Sequence, residues 1–289
     1  MKKALRISAF VLLGLLVAVF ITFRFFMDFT VKPEQINQRY AEKGMAPPVF
    51  DTLSANGHSI RFTATGDPTR PWVVWVHGSP GTWDAFISYL TDSTLREKYY
   101  QIAIDRPGYG GASKAPVSSL ELQAGPIAAL LERAPEGVPR IVAGHSFGGP
   151  VVVRLAMDHP NCVEGIFVMA GFTDPALGKR PWLFRQFRKK PLRWLVPPDL
   201  NMSNDEITPI GEELALMAPS WHKLTLPVAW IQGDKDMLVP TAHLDYALAN
   251  LPKSPAVLHR LPEENHFIPW SQRALVLSTL DSLAAQVAR

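Results

Sequence analysis

Arg140-Ile141-Val142-Ala143-Gly144-His145-Ser146-Phe147-Gly148-Gly149-Pro150 sets a strand, a corner and a helix around one serine. Residues 141–143 are an apolar run too short for a helix, and they read as a buried strand. The run breaks at Gly144, and a stretch with helical character starts near Phe147 and continues through Leu155 and Met157. The Gly-x-Ser-x-Gly spacing has a steric reason. A serine on so tight a corner adopts strained backbone angles and needs neighbours two residues away with almost no side chain. The corner lifts the Ser146 hydroxyl clear of the sheet. It also leaves the amides of Phe147 and Gly148 unpaired at a helix start, where developing negative charge can bind.

Outward from this corner, short apolar runs alternate with helical patterns. Upstream lie a plausible hairpin, 50–53 and 60–64 around Asn56-Gly57, and the runs Trp72–Val76 and 101–104. Downstream lie Gly165–Met169, 228–231 and Ala256–Leu261. Helical patterns cover 83–90, 120–133, 241–250 and 270–287. This alternation predicts an α/β domain with a mostly parallel sheet covered on both faces. Sites in such sheets gather at the carboxyl ends of strands. There, the run 228–231 leads into Gln232-Gly233-Asp234-Lys235-Asp236, and the last strand leads into Glu263-Glu264-Asn265-His266-Phe267. The chain order is serine, acid, histidine. A serine hydroxyl is a poor nucleophile at neutral pH and needs a base, which in turn needs an orienting acid.

With four motifs in this order, the stretch 50–289 resembles the α/β-hydrolase fold superfamily, in its serine-hydrolase, esterase- and lipase-like branch. The resemblance implies a nucleophile at Ser146, a general base at His266 and an acid at Asp236. Asp234, two residues earlier, and Asp174, after the strand Gly165–Met169, are the other candidates for the acid. It also implies an oxyanion hole from the backbone amides of Ser79 and Phe147, Ser79 following His77-Gly78. Asp105-Arg106-Pro107-Gly108-Tyr109-Gly110 matches an architectural stretch of that superfamily. His77 reads as a packed loop residue, and His145 holds the variable position of the serine motif. The activity implied is hydrolysis of carboxylic esters, lipid-derived ones included, through an acyl-enzyme. A peptidase, thioesterase, acyltransferase or carbon–carbon hydrolase would use the same side chains, and a tethered ligand-binding protein could retain them without turnover. An aspartate at position 146 would have indicated an epoxide hydrolase or dehalogenase.

Composition narrows the partners. A net charge of +3 over 289 residues gives no argument for nucleic acid. The single cysteine, Cys162, allows no internal disulfide and reads as a packing residue. The eight histidines show no metal-ligand spacing, and no phosphate-loop or dinucleotide signature is present, so no cofactor is expected. The expected partners are a small acyl substrate and a membrane.

The membrane expectation comes from two stretches. Lys2, Lys3 and Arg6 precede residues 7–23, which carry no formal charge and would span about 26 Å as a helix. Residues 1–30 are therefore expected to be a transmembrane signal-anchor, 31–50 a linker and 51–289 the catalytic domain. The basic residues before the span predict export of that domain to the non-cytoplasmic side. Within the domain, 172–224 is expected to form a cap or lid. Its segment 179–195 interleaves Lys179, Arg180, Arg185, Arg188, Lys189, Lys190 and Arg193 with Trp182, Leu183, Phe184, Phe187, Leu192, Trp194 and Leu195. On a helix, Leu183, Phe184 and Phe187 share one side and Arg185, Arg188 and Lys189 the other, with Pro191 as the end. Such a lid could lie on an anionic bilayer or simply cover the pocket with its basic side in water.

Overall fold

The structure, a computed structural model, describes residues 2–26, 30–113, 115–178, 182–251 and 255–288. Eight strands form one sheet: β1 (Phe50–Ala55), β2 (His58–Thr65), β3 (Trp72–Val76), β4 (Tyr100–Asp105), β5 (Arg140–His145), β6 (Gly165–Met169), β7 (Val228–Gly233) and β8 (Ala256–Leu261). Their order is β1-β2-β4-β3-β5-β6-β7-β8. β1 and β2 pair antiparallel, as do β2 and β4, and every later neighbour pairs in parallel. The hairpin turns on Asn56 at φ 53° and Gly57 at φ 77°. Two successive positive φ angles are what a two-residue hairpin of the right twist requires, and Asn-Gly supplies them at low cost.

The register explains why the parallel strands read as unbroken apolar runs. Val74 lies between Ile102 and Val142 in the sheet. Together with Val76 and Ile104 these side chains pack into one buried cluster with the helices Leu120–Leu131 and Gly148–Asp158. Their neighbours Val73, Trp75, Ala103 and Ile141 point the other way, into a second cluster with Phe86, Tyr89 and the helix Arg273–Val287. Trp75 stacks on Phe86 at 5.2 Å between centroids and lies 4.7 Å from Tyr89. With both faces covered, alternation disappears from the sequence.

Two expectations change. The stretch expected as a linker carries the helix Pro33–Ala41. Pro33 opens it where no amide partner is needed, and Tyr40 is buried in the second cluster with Ile36 and Met45 against it. The lid helix is also shorter than the pattern suggests. It runs Trp182–Gln186, and a separate turn of helix, Leu192–Leu195, follows Pro191. Lys179 and Arg180 lie outside the described residues. Arg188 and Arg193 do not face water freely, because both bind Asp205, Arg188 at 3.0 Å and Arg193 at 2.8 Å.

At the N-terminus the expected helix forms over Lys2–Phe26. The transmembrane span itself is not borne out by the described residues: among them no helix is long and apolar enough to cross a membrane. The expected span includes Ile7, Ala9, Leu13 and Phe23, whose side chains lie outside the described set. The helix ends against the lid, where Arg24 Nη1 donates to the Val196 carbonyl at 2.6 Å and its guanidinium lies 5.5 Å from the Trp194 ring.

Candidate active site

Ser146 occupies the corner between β5 and the helix Gly148–Asp158 with φ at +54°. Only close neighbours on both sides hold a non-glycine residue there. A side chain at Gly144 would come within 2.3 Å of the Gly148 carbonyl oxygen, and one at Gly148 within 2.3 Å of the Val76 carbonyl oxygen. The Ser146 amide donates to the Met169 carbonyl at 2.9 Å, tying the corner to β6. The Gly-x-Ser-x-Gly spacing anticipates the strained corner and its small neighbours, but not the tie to β6.

His266, in the loop after β8, carries Nδ1 2.7 Å from Asp236 Oδ2. Asp236 follows β7. Its Oδ1 accepts the amides of Leu238 and Val239, each at 2.8 Å, and Oδ2 also faces Gln232 Nε2 at 3.3 Å. A carboxyl group that accepts on every side leaves the shared proton on His266 Nδ1 and the lone pair on Nε2. Asp236 is thus the acid brought to the histidine. Asp234 instead pairs with Arg260 at 2.7 Å near the surface, and Asp174 uses Oδ1 to accept the Ala176 amide.

Ser146 and His266 line one cavity of about 610 Å³ together with His77, Gly78, Ser79 and His145. The insert contributes Phe172, Leu177, Phe184, Ile207 and Ile210 to the same lining, so the segment expected as a lid does flank the serine. Met237, Leu238, Phe267 and Trp270 complete it with exposed apolar surface. The loop 77–81 passes hard against the nucleophile candidate, since a side chain at Gly78 would meet Ser146 Cβ at 2.9 Å. Among the described residues no acceptor takes the amide of Ser79 or Phe147. Nor, among the described residues, does any group of three His, Cys, Asp or Glu have the arrangement to hold a metal ion.

Two more histidines shape this pocket without exchanging protons at neutral pH. His77 is fully buried. Its Nε2 accepts the Arg106 amide at 3.0 Å, so Nδ1 carries the proton and donates to the Gly78 carbonyl at 2.7 Å. Burial, then the Arg106 charge, holds its pKa well below the ordinary value. His145 Nε2 donates to the His266 carbonyl at 3.0 Å, and the two rings are 4.8 Å apart. Burial first, and then the neighbouring His266, pushes His145 down to about 3. The sequence placed His145 only at a variable position. Its grip on the backbone of residue 266 had no signal in spacing or composition. Arg106 and Tyr109, which the sequence marked only as architectural, contact Gly78 and Ser79 of the loop beside the serine.

A model of the Alpha/beta hydrolase family matches residues 73–284, from β3 into the last helix. The chain belongs to this family. The chain is 33% identical over 120 residues to a 1-acylglycerol-3-phosphate O-acyltransferase of Arabidopsis thaliana, covering 39% of this chain and 28% of that protein. It is 30% identical over 104 residues to the sn-1-specific diacylglycerol lipase ABHD11 of Mus musculus, covering 36% of this chain and 34% of the lipase. The chain therefore spans about a third of the length of these curated relatives. Among solved structures, a bacterial membrane phospholipase A superposes with a TM-score of 0.63 at 19% identity, covering 98% of this chain and 99% of the other. At that identity the likeness is one of fold.

Proposed function

We propose that the protein is a serine hydrolase that cleaves carboxylic esters in two acyl-transfer steps. Ser146 Oγ attacks the ester carbonyl as His266 Nε2 takes its proton. The alkoxide oxygen that forms is met by the amides of Ser79 and Phe147. His266 returns the proton to the departing alcohol, then activates a water that releases the acid and restores the serine. Asp236 keeps the imidazole in the required tautomer. The observation that carries this reading is the left-handed Ser146 lining one cavity with His266, whose far nitrogen is 2.7 Å from Asp236. Phe172, Leu177, Phe184, Ile207 and Ile210 favour an apolar acyl or alcohol portion.

A fluorophosphonate probe tests the chemistry. Labelling mapped to Ser146, together with hydrolysis of p-nitrophenyl esters that disappears in Ser146→Ala, is expected. An unlabelled serine, or turnover retained in the alanine variant, would sink the assignment.

The reading extends to a membrane-bound enzyme with its catalytic domain on the non-cytoplasmic side. Supporting the membrane part, Phe10, Val11, Leu12, Leu15 and Val19 of the first helix all stand more than half exposed, as do Trp182, Leu183 and Trp194 of the lid. Water does not tolerate so many exposed large apolar side chains well, and a bilayer would cover them. Among the described lid residues, Arg185, Lys189 and Lys190 are exposed cations beside the two arginines that bind Asp205. Flotation of the full chain with liposomes is the expected result; full recovery in the lipid-free fraction would reject this part alone.

A further inference from the structure

Glu206 belongs to the helix Pro198–Ile207 of the insert and is buried against Arg106, itself fully buried. A buried ion pair is tolerated when every proton and lone pair finds a partner. Here the count closes. Arg106 Nε donates to the His77 carbonyl at 2.9 Å. Its Nη2 serves the Gly78 carbonyl at 2.8 Å and Glu206 Oε2 at 3.2 Å. Its Nη1 serves Gln123 Oε1 at 2.5 Å and Glu206 Oε1. All five guanidinium protons are used.

Glu206 Oε2 also lies 2.8 Å from the Tyr109 hydroxyl, whose oxygen is 2.8 Å from Ser79 Oγ. A carboxylate held by guanidinium can only accept, so the Tyr109 proton points to Glu206. The Tyr109 oxygen is then the acceptor for the Ser79 hydroxyl proton. The direction of the chain is fixed: Ser79 to Tyr109 to Glu206. A second constraint acts on the backbone. In a trans peptide the C=O and the next N–H point in opposite directions. Gly78 O is drawn to Arg106 Nη2 and to His77 Nδ1, so the Ser79 N–H must face the other way.

We propose that Glu206 and Tyr109 are positioning residues that aim the Ser79 amide, Glu206 through Arg106 and the Gly78 carbonyl, Tyr109 through the Ser79 hydroxyl. The insert and the loop beside the nucleophile are then one electrostatic unit. Ser79 acts through its amide, its hydroxyl proton being committed to Tyr109. The inference rests on the reading of that amide as an oxyanion donor.

Tyr109→Phe and Glu206→Gln in the full chain test it, with p-nitrophenyl butyrate as substrate and a trifluoromethyl ketone that forms an oxyanion at the serine. Loss of a whole oxyanion donor costs about a hundredfold to a thousandfold, and misaiming one costs less. Tyr109→Phe is therefore expected to lower kcat by about tenfold and Glu206→Gln by about a hundredfold, with KM nearly unchanged. Affinity for the ketone should fall in step with kcat/KM, which loosened packing remote from the oxyanion would not produce. Ser79→Ala should match Tyr109→Phe, and the two together should lose no more than either alone. Unchanged kcat and ketone affinity in Tyr109→Phe, or a rise in KM as its sole effect, would overturn the proposal. If Glu206→Gln lacks a thermal unfolding transition, Tyr109→Phe alone decides. Turnover retained in Ser146→Ala would defeat the underlying reading; an inactive Ser146→Ala beside a fully active Tyr109→Phe would defeat only this inference.

Discussion

Acidification should unfold this protein through three histidines that the fold keeps neutral. His77 and His243 have no exposed surface and His145 has 5%. Two of them already accept main-chain protons. His77 Nε2 takes the Arg106 amide, and His243 Nδ1 takes the amides of Thr173 at 3.0 Å and Asp174 at 2.9 Å. Protonating either nitrogen would break those bonds. Burial lowers His145 to about 3 and His243 to about 4, and holds His77 well below the usual histidine value. With folded values below the unfolded one of about 6.5, the unfolded chain binds more protons as the pH drops. The contribution is complete above that value and is lost progressively beneath it. Between pH about 7.5 and about 5.5, His145 and His243 each cost on the order of 1 kcal/mol, and His77 adds a loss in the same direction, a few kcal/mol together. Domains of ordinary stability have only about 5–15 kcal/mol in total. Urea unfolding followed by circular dichroism at several pH values across this interval measures the slope directly. His243→Asn, which keeps an acceptor for the two amides and lies outside the cavity lining, should reduce the slope by about a third. A stability that stays level over the interval, or a slope unchanged in a folded His243→Asn, would refute the reasoning.

Ser146→Gly should abolish hydrolysis and yet stabilise the fold by about 1 kcal/mol, because glycine relieves the left-handed backbone; a melting temperature that falls would contradict this. Gly148→Ala places a methyl group 2.3 Å from the Val76 carbonyl oxygen and should destabilise by about 3 kcal/mol or more, read as a lower urea midpoint. Asp236→Asn should lower kcat by about ten-thousandfold with the fold intact, while Asp234→Asn stays within about twofold of the unaltered enzyme. Equal losses at the two positions would reopen the choice of acid.

The strands and their order of chemistry were readable because each depends on local pattern. Apolar runs gave β3, β5 and β6, Asn56-Gly57 gave the hairpin, and Gly-x-Ser-x-Gly gave the corner. Asp236 is the acid that the resemblance implies, and of the three candidate carboxyl groups it is the one with a described hydrogen bond to His266, while Asp234 meets Arg260 and Asp174 meets the Ala176 amide. What escaped the sequence was contact between distant segments. Tyr40 looks like any linker tyrosine until its burial is seen, and Glu206 looks like one more helix acid. Its pairing partner lies 100 residues away, and no periodicity records that. The basic and apolar pattern of the lid likewise carried no sign of Asp205, which pairs with both Arg188 and Arg193.

The crowding at the serine corner also limits what its descendants can become. Gly144, Gly148 and Gly149 are each pressed against backbone, Gly149 with Gly171 Cα 2.7 Å from where a side chain would begin. That leaves positions 145 and 147 free to mutate, but His145 holds residue 266 and Phe147 lies under the Arg106 guanidinium at 4.8 Å. Inherited variation that survives is then expected on the walls, at Met237, Leu238, Phe267, Trp270 and the apolar lining positions of the insert rather than at Glu206. New appetites for substrate can arise there while the reactive corner passes unchanged between generations.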